Sequence, residues 1–259
     1  AEEIKTTKID ALIKTGFAKS FLQNFLLGMP ENYLLSISLQ DLIRQLKMLK
    51  LLDSNPVLFS LQEDEKQAFS DFEVITNDFV GLFARIAGVL SLHDYNIVEA
   101  KLFTSQEGVA VDIIRITDAQ HNMVRKDDQF FKMQQDLQDS LQNETKFTKT
   151  MSRMLASQPL NKSAQKKHFD LIIDNDISAA DTVLEIHTYD SHGLLYRLTT
   201  VLVEMDLSIQ RAYITTQVDR VIDVFYIRNT AGQKITSQEQ LNEIHDKLNT
   251  LFYKSKEQL

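Results

Sequence analysis

Two stretches of this chain are copies of one another, and that duplication constrains the fold more than any local pattern. Placing Glu73 over Glu185 aligns 73–104 with 185–216. Identities fall at Glu73/Glu185, Thr76/Thr188, Asp78/Asp190, Gly81/Gly193, Leu82/Leu194, Arg85/Arg197, Val89/Val201, Leu90/Leu202, Asp94/Asp206, Ile97/Ile209, Ala100/Ala212 and Thr104/Thr216, twelve of 32 positions. Residue frequencies alone would give roughly two. Beyond Thr104 the offset falls from 112 to 111 and pairs Asp112 with Asp223 and Ile116 with Ile227, a change that a surface turn absorbs.

Each copy predicts the same elements. Phe72–Thr76 and Val183–Thr188 are short and rich in β-formers, hence strands. Leu82, Phe83, Ile86, Val89 and Leu90 make one stripe of an amphipathic helix, repeated by Leu194, Leu195, Leu198, Val201 and Leu202. After exit turns at Asp94 and Asp206, 97–104 and 209–216 lead through short turns (106–108; 218–220) into 109–116 and 221–227, an antiparallel hairpin in each copy. A second helix follows, its stripe carried by Phe130, Met133, Leu137 and Leu141, and then by Leu241, Ile244, Leu248 and Leu251, with Ser237 and Gln240 as a capping box. The order β-α-β-β-α lacks one strand of a ferredoxin-like βαββαβ unit. Phe169–Asp174 supplies it after the first copy; the second copy ends at Leu259 without one, so either its sheet stays one strand short or the two units share strands. The expected class is α+β: two ferredoxin-like units, 69–176 and 181–259, preceded by a helical segment, 1–66.

That first segment carries the stripe Phe17, Phe21, Phe25 and Leu26, then Ser38 as N-cap before Leu39, Leu42, Ile43, Leu46 and Leu49. Its apolar residues, which include Val57, Leu58, Phe59 and Leu61, exceed what two or three helices bury alone. They pack on the repeats, on another chain or on an upstream domain, and the last is the expectation, since the chain opens at Ala1 rather than Met. A basic connector, 145–168, holds Lys146, Lys149, Arg153, Lys162, Lys166 and Lys167 and no acid. It reads as a solvated link, with a docking surface for an acidic partner or nucleotide as the sharper alternative.

Composition removes several function classes. There are no cysteines, hence no disulfides, thiolate nucleophiles or zinc-thiolate sites. A net charge of −8 argues against nucleic acid as a partner, and no apolar run approaches the roughly 18 residues of a membrane span. With no signal peptide, the expected location is cytoplasmic. No Gly-x-Ser-x-Gly elbow, Walker loop or dinucleotide fingerprint occurs, so no catalytic residue is assigned. His93-Asp94 and His245-Asp246 are the sequence's metal-like dipeptides, but neither has a companion histidine at ligand spacing, and no metal site is expected.

The chemistry concentrates in the two equivalent turns, 76–82 (TNDFVGL) and 188–194 (TYDSHGL). Gly81 and Gly193 are two of only seven glycines, and a glycine there takes positive φ or admits a ligand close to the backbone. The helix that follows begins with unpaired N–H groups suited to a carboxylate. Asp78 and Asp190 either cap those amides or bind an α-ammonium group. The candidate effector-binding residues are Asn77, Asp78, Gly81 and Leu82 in the first copy and Asp190, His192, Gly193 and Leu194 in the second.

At these Asp-x-x-Gly-Leu turns the chain resembles the ACT domain, a small-molecule sensor whose usual turn is Asp-x-Pro-Gly-Leu; Val80 and His192 stand at the proline position. Residues 182–198 (TVLEIHTYDSHGLLYRL), 222–228 (IDVFYIR), 232–235 (GQKI) and 168–175 (HFDLIIDN) are similar to the C-terminal end of the bifunctional PII-protein uridylyltransferase/uridylyl-removing enzymes. The stretch 29–34 (MPENYL), with Leu42 to Leu49, resembles their linker, Gln45 standing where a histidine is usual. The resemblance implies tandem ACT domains that sense glutamine or another amino acid and control upstream catalytic domains acting on the PII signalling protein with UTP. It places the catalytic Mg in those domains and no cofactor in this chain. It also leaves open a ligand-free assembly module and a homo-oligomer.

Overall fold

In the computed structural model, which describes residues 2–157, 169–217 and 220–253, the duplicated pattern becomes a duplicated strand order. The strands are β1 (Val57–Asp64), β2 (Phe69–Asn77), β3 (Asn96–Thr104), β4 (Val109–Thr117), β5 (Asp170–Asp174), β6 (Thr182–Tyr189), β7 (Ser208–Gln217) and β8 (Arg220–Arg228). Their order in the sheet is β1-β2-β4-β3-β7-β8-β6-β5. From the middle outward each half runs through the hairpin, then the first strand of the repeat, then an outer strand. The helices are α1 (Glu2–Lys14), α2 (Lys19–Gly28), α3 (Glu31–Ser36), α4 (Leu39–Leu49), α5 (Leu82–Leu92), α6 (Asp128–Gln142), α7 (Glu144–Ser157), α8 (Leu194–Glu204) and α9 (Gln238–Tyr253).

The outer strands correct the sequence reading. Asp170–Asp174 does not close the first copy; it pairs antiparallel with β6, Asp170 opposite His187 and Asp174 opposite Val183. Seven residues, 175–181, separate the two strands, so pairing them costs far less loop entropy than a return from the far end of the chain. The second sheet is therefore complete, its fourth strand arriving before the repeat. The first copy does the same with β1, which the sequence reading had placed in the helical segment. Val57, Leu58, Phe59 and Leu61 form an apolar run too short for periodicity to separate strand from helix.

The chain divides into two compact units. One comprises Ala1–Ser60, Phe72–Phe79 and Leu102–Ile113; the other comprises Leu61–Asp71, Val80–Lys101 and Ile114–Leu259. In the first, Leu12, Leu22, Leu26, Tyr33, Leu42 and Leu46 from the four helices share a core with Ile75, Phe103 and Val111 from the strands. This corrects the expectation that the helices await an upstream domain: the ends of β2, β3 and β4 cover them. Ser38 caps α4 as its position predicts, its Oγ accepting from the Asp41 amide at 3.1 Å. Buried Glu73 ties helix to strand. It accepts Nε and Nη2 of Arg44 (2.9 and 2.7 Å) and Nε2 of Gln45 (2.8 Å), while Gln45 Oε1 accepts the Tyr33 hydroxyl at 2.6 Å. A fully buried glutamine that both donates and accepts explains the residue at position 45.

In the second unit α5 packs against α8, α6 against α5 and α9 against α8. The repeated arginines perform one structural task. Arg85 Nη1 donates to the Ser140 carbonyl (2.8 Å) near the end of α6, and Arg197 Nη2 donates to the Leu155 carbonyl (3.2 Å) near the end of α7. Cations there satisfy carbonyls that a helix end leaves unpaired. The basic connector is half corrected: 144–157 is a helix that buries Phe147 and Met151, four residues apart on one face, with Phe147 edge-on to Tyr196 at 5.8 Å. Its basic side chains occupy the other face. Lys162, Lys166 and Lys167 lie outside the described residues, as do Val218 and Asp219 of the second hairpin turn.

Candidate functional site

Both duplicated turns enter their helices through a left-handed glycine, Gly81 at φ 91° and Gly193 at φ 72°. A side chain at Gly193 would also have no room, because a Cβ there would lie 3.0 Å from Met154 Cε and 3.2 Å from Leu155 Cδ2. With glycine as N-cap, no cap side chain serves either helix. The aspartates do not take over that role. Asp78 Oδ2 accepts the Thr104 hydroxyl at 2.8 Å, and the carboxylate of Asp190 accepts nothing from α8 among the described residues. In the second copy the Leu194 amide donates to the Ser191 carbonyl and the Arg197 amide to the Gly193 carbonyl. The intervening amides of Leu195 and Tyr196 have no acceptor among the described residues, as the first turn of a helix leaves them.

A cavity of about 260 Å³ opens beside this second turn, lined by all seven residues from Asp190 to Tyr196. Its other walls come from Ala87 and Ser91 of α5, from Asp94, Tyr95, Asn96 and Ile97 of the exit turn and β3, from Ala119, and from Ile214, Val221 and Asp223 of the second hairpin. The volume lies below the roughly 300–1,000 Å³ of sites for drug-sized ligands, a scale suited to an amino acid. A repeated exit turn helps to shape it. Asp94 and its counterpart Asp206 both stand at φ 57° in their exit turns, and Asp94 reaches across so that its Oδ1 lies 3.7 Å from His192 Nδ1.

The floor holds an anomaly. On β8 the residues Val221, Phe225 and Ile227 face the helices and are buried, as period-two alternation requires. Asp223 occupies the same face and is 1% exposed. Its strand neighbours are Ile186 on β6 and Ile214 on β7, both aliphatic. Asp223 Oδ1 has no hydrogen-bond partner, and Ser191 Oγ, on the same cavity, has none either. Burial pushes the Asp223 carboxyl well above the usual carboxylate range, and the charge of Asp190 adds to the shift. The first copy reproduces this arrangement: Asp112 on β4 is buried and shifted upward by burial and then by Asp78.

Asp190, His192, Gly193 and Leu194 thus line one cavity. Asn77, Asp78, Gly81 and Leu82 do not line it. Asn77 and Asp78 are exposed at the end of β2, whereas Leu82 is buried in the first turn of α5. Sequence reasoning paired Asp112 with Asp223 but gave them no role. The signal was an acid in the middle of an apolar strand, present in both copies. Among the described residues no group of three or more histidine or acidic side chains is placed to hold a metal; His93 instead pairs with Asp136 at 2.9 Å.

Residues 177–255 match the model of the ACR family N-terminal ACT domain. The second copy matches an ACT domain. The first copy shares the repeat and the strand order, so the fold is that of two ACT-like units in tandem. The chain also aligns with bifunctional uridylyltransferase/uridylyl-removing enzymes. The one from Azospirillum brasilense is 30% identical over 89% of this chain and 25% of its own length. That from Rhodospirillum rubrum is 31% identical over 71% and 20%, and that from Zymomonas mobilis 25% identical over 95% and 27%. The chain spans about a quarter of the length of these relatives. No helix among the described residues is long and apolar enough to cross a membrane.

Proposed function

We propose that this chain is the amino-acid-sensing regulatory region of a cytoplasmic uridylyltransferase/uridylyl-removing enzyme, with glutamine as its effector. The observation that carries the reading is the cavity at the second turn, lined both by the first residues of α8, whose amides are unpaired, and by the buried carboxyl group of Asp223. An α-amino acid presents the complementary pair of charges: its carboxylate suits the amides of Leu195 and Tyr196 at the positive end of α8, and its ammonium suits the acidic side. Gly193 keeps the backbone approachable. By the internal repeat, the proposal extends the same role to Asn77, Asp78, Gly81 and Leu82 in the first copy.

Regulation follows from where the walls come from. Asp190–Tyr196 belong to the second repeat and Ala87–Ile97 to the first, and α5 packs on α8 between them. A ligand that touches both favours one packing of these elements by its differential affinity, and only by that amount. Catalytic domains of the parent enzyme, acting on PII with UTP and Mg, would respond to that bias. Calorimetry of the chain with glutamine tests the reading. Saturable heat in the micromolar-to-millimolar range supports it; neither heat nor a thermal shift at millimolar glutamine overturns it in favour of a ligand-free assembly module.

A further inference from the structure

We infer that Asp223 is the ammonium anchor of this cavity: the bound effector must carry a protonated amine, which takes the orphaned Asp223 Oδ1 as acceptor, with Ser191 and Asp190 beside it. The inference rests on the proposal that the cavity binds an effector, and it adds what that effector must be and how binding is coupled to protons.

Three observations converge. Asp223 is buried on the apolar face of β8 between Ile186 and Ile214, and one of its oxygens has no partner, a state that costs free energy unless something fills it. Ser191 Oγ, equally without a partner, lines the same cavity. Asp190 and Asp94 line it as well, so an anion at this end would meet three acids. An ammonium group offers three donors and a positive charge, which matches two orphaned oxygens and a nearby carboxylate. A neutral donor could fill the orphaned oxygens but would leave the charge of the acids unanswered. The opposite requirement holds at α8, whose amides call for a carboxylate. A zwitterion satisfies both ends of one small cavity.

Proton balance follows from the burial of Asp223. Its surroundings favour the uncharged form of the carboxyl group. When an ammonium arrives, that form is no longer favoured: the carboxyl proton leaves to the buffer, the ligand keeps all three of its N–H protons, and a carboxylate–ammonium pair remains. The other titratable groups that face the cavity are Asp94, Tyr95, Asp190, His192 and Tyr196. Glutamine binding near neutral pH is therefore expected to release up to one proton.

The test is calorimetry of the 259-residue chain with glutamine in phosphate and in Tris, whose ionisation enthalpies differ, repeated with Asp223→Asn and with the des-amino analogue of glutamine. The expected results are proton release on the natural chain, no binding of the analogue, and an affinity about 10- to 100-fold weaker in Asp223→Asn without proton release. Glutamine binding with no proton exchange, or equal affinity for the analogue, overturns the anchor and leaves the effector reading standing. Failure of the natural chain to bind any amino acid overturns both. If Asp223→Asn does not fold by circular dichroism, the proton count and the analogue on the natural chain decide.

Discussion

Replacing Asp223 by asparagine in the ligand-free chain is predicted to raise stability at neutral pH and to leave it nearly unchanged in acid. Burial lets the folded state hold a proton on this carboxyl well above the usual carboxylate range, where the unfolded chain has lost it. Between the unfolded and the folded pKa the native state binds more protons than the unfolded one, so stability falls as pH rises through the window and is level below about pH 3.8. Asparagine keeps the shape and removes the titration. Keeping an ionisable group buried costs on the order of 1–3 kcal/mol where the unfolded chain is free to ionise, and asparagine removes that pH-dependent share. At roughly 2–4 °C per kcal/mol for a chain of this size, the gain in Tm at pH 7 should be roughly 2–12 °C. Thermal melts of both chains across pH 4 to 8 measure it, and the gap should close toward pH 4. A gap independent of pH, or one that widens in acid, would refute the reasoning. Asp112→Asn, in the same position of the first copy, should behave alike.

Gly193→Ala should cost about 1–2 kcal/mol from the left-handed backbone, and more from its 3.0 Å approach to Met154, whereas Gly81→Ala, with Val203 at an ordinary 3.7 Å, should cost the backbone share alone; urea titrations compare the two. Glu73→Gln removes the charge that holds Arg44 but can still bond to Gln45, and should cost about 2–3 kcal/mol, below the 3–5 of a wholly buried pair because Arg44 is 23% exposed. Amide exchange in that variant should rise first in α4 and β2, which Glu73 joins.

The duplicated elements were legible because an amphipathic helix and an alternating hairpin each carry a period, and the repeat read every period twice. Even the exit turns were visible, at Asp94 and Asp206. What escaped was pairing between segments that share no pattern. Nothing local says that 170–174 joins the strand after it rather than the copy before it; a short link and an antiparallel register decide that. In α7, Lys146, Lys149 and Arg153 of the basic run hid an apolar face that needed only Phe147 and Met151. The same limit applied at the site. The turns announced themselves through glycine, but the burial of Asp223 depends on Ile186 and Ile214, which meet it only once three strands are laid side by side.

The central claim is that an amino acid occupies the cavity beside the second turn, and a crystal structure of the chain grown with glutamine tests it most directly. The account predicts the ligand's carboxylate on the amides of Leu195 and Tyr196 and its ammonium on Asp223. Glutamine bound elsewhere, or a cavity filled only by solvent at saturating glutamine, would contradict it.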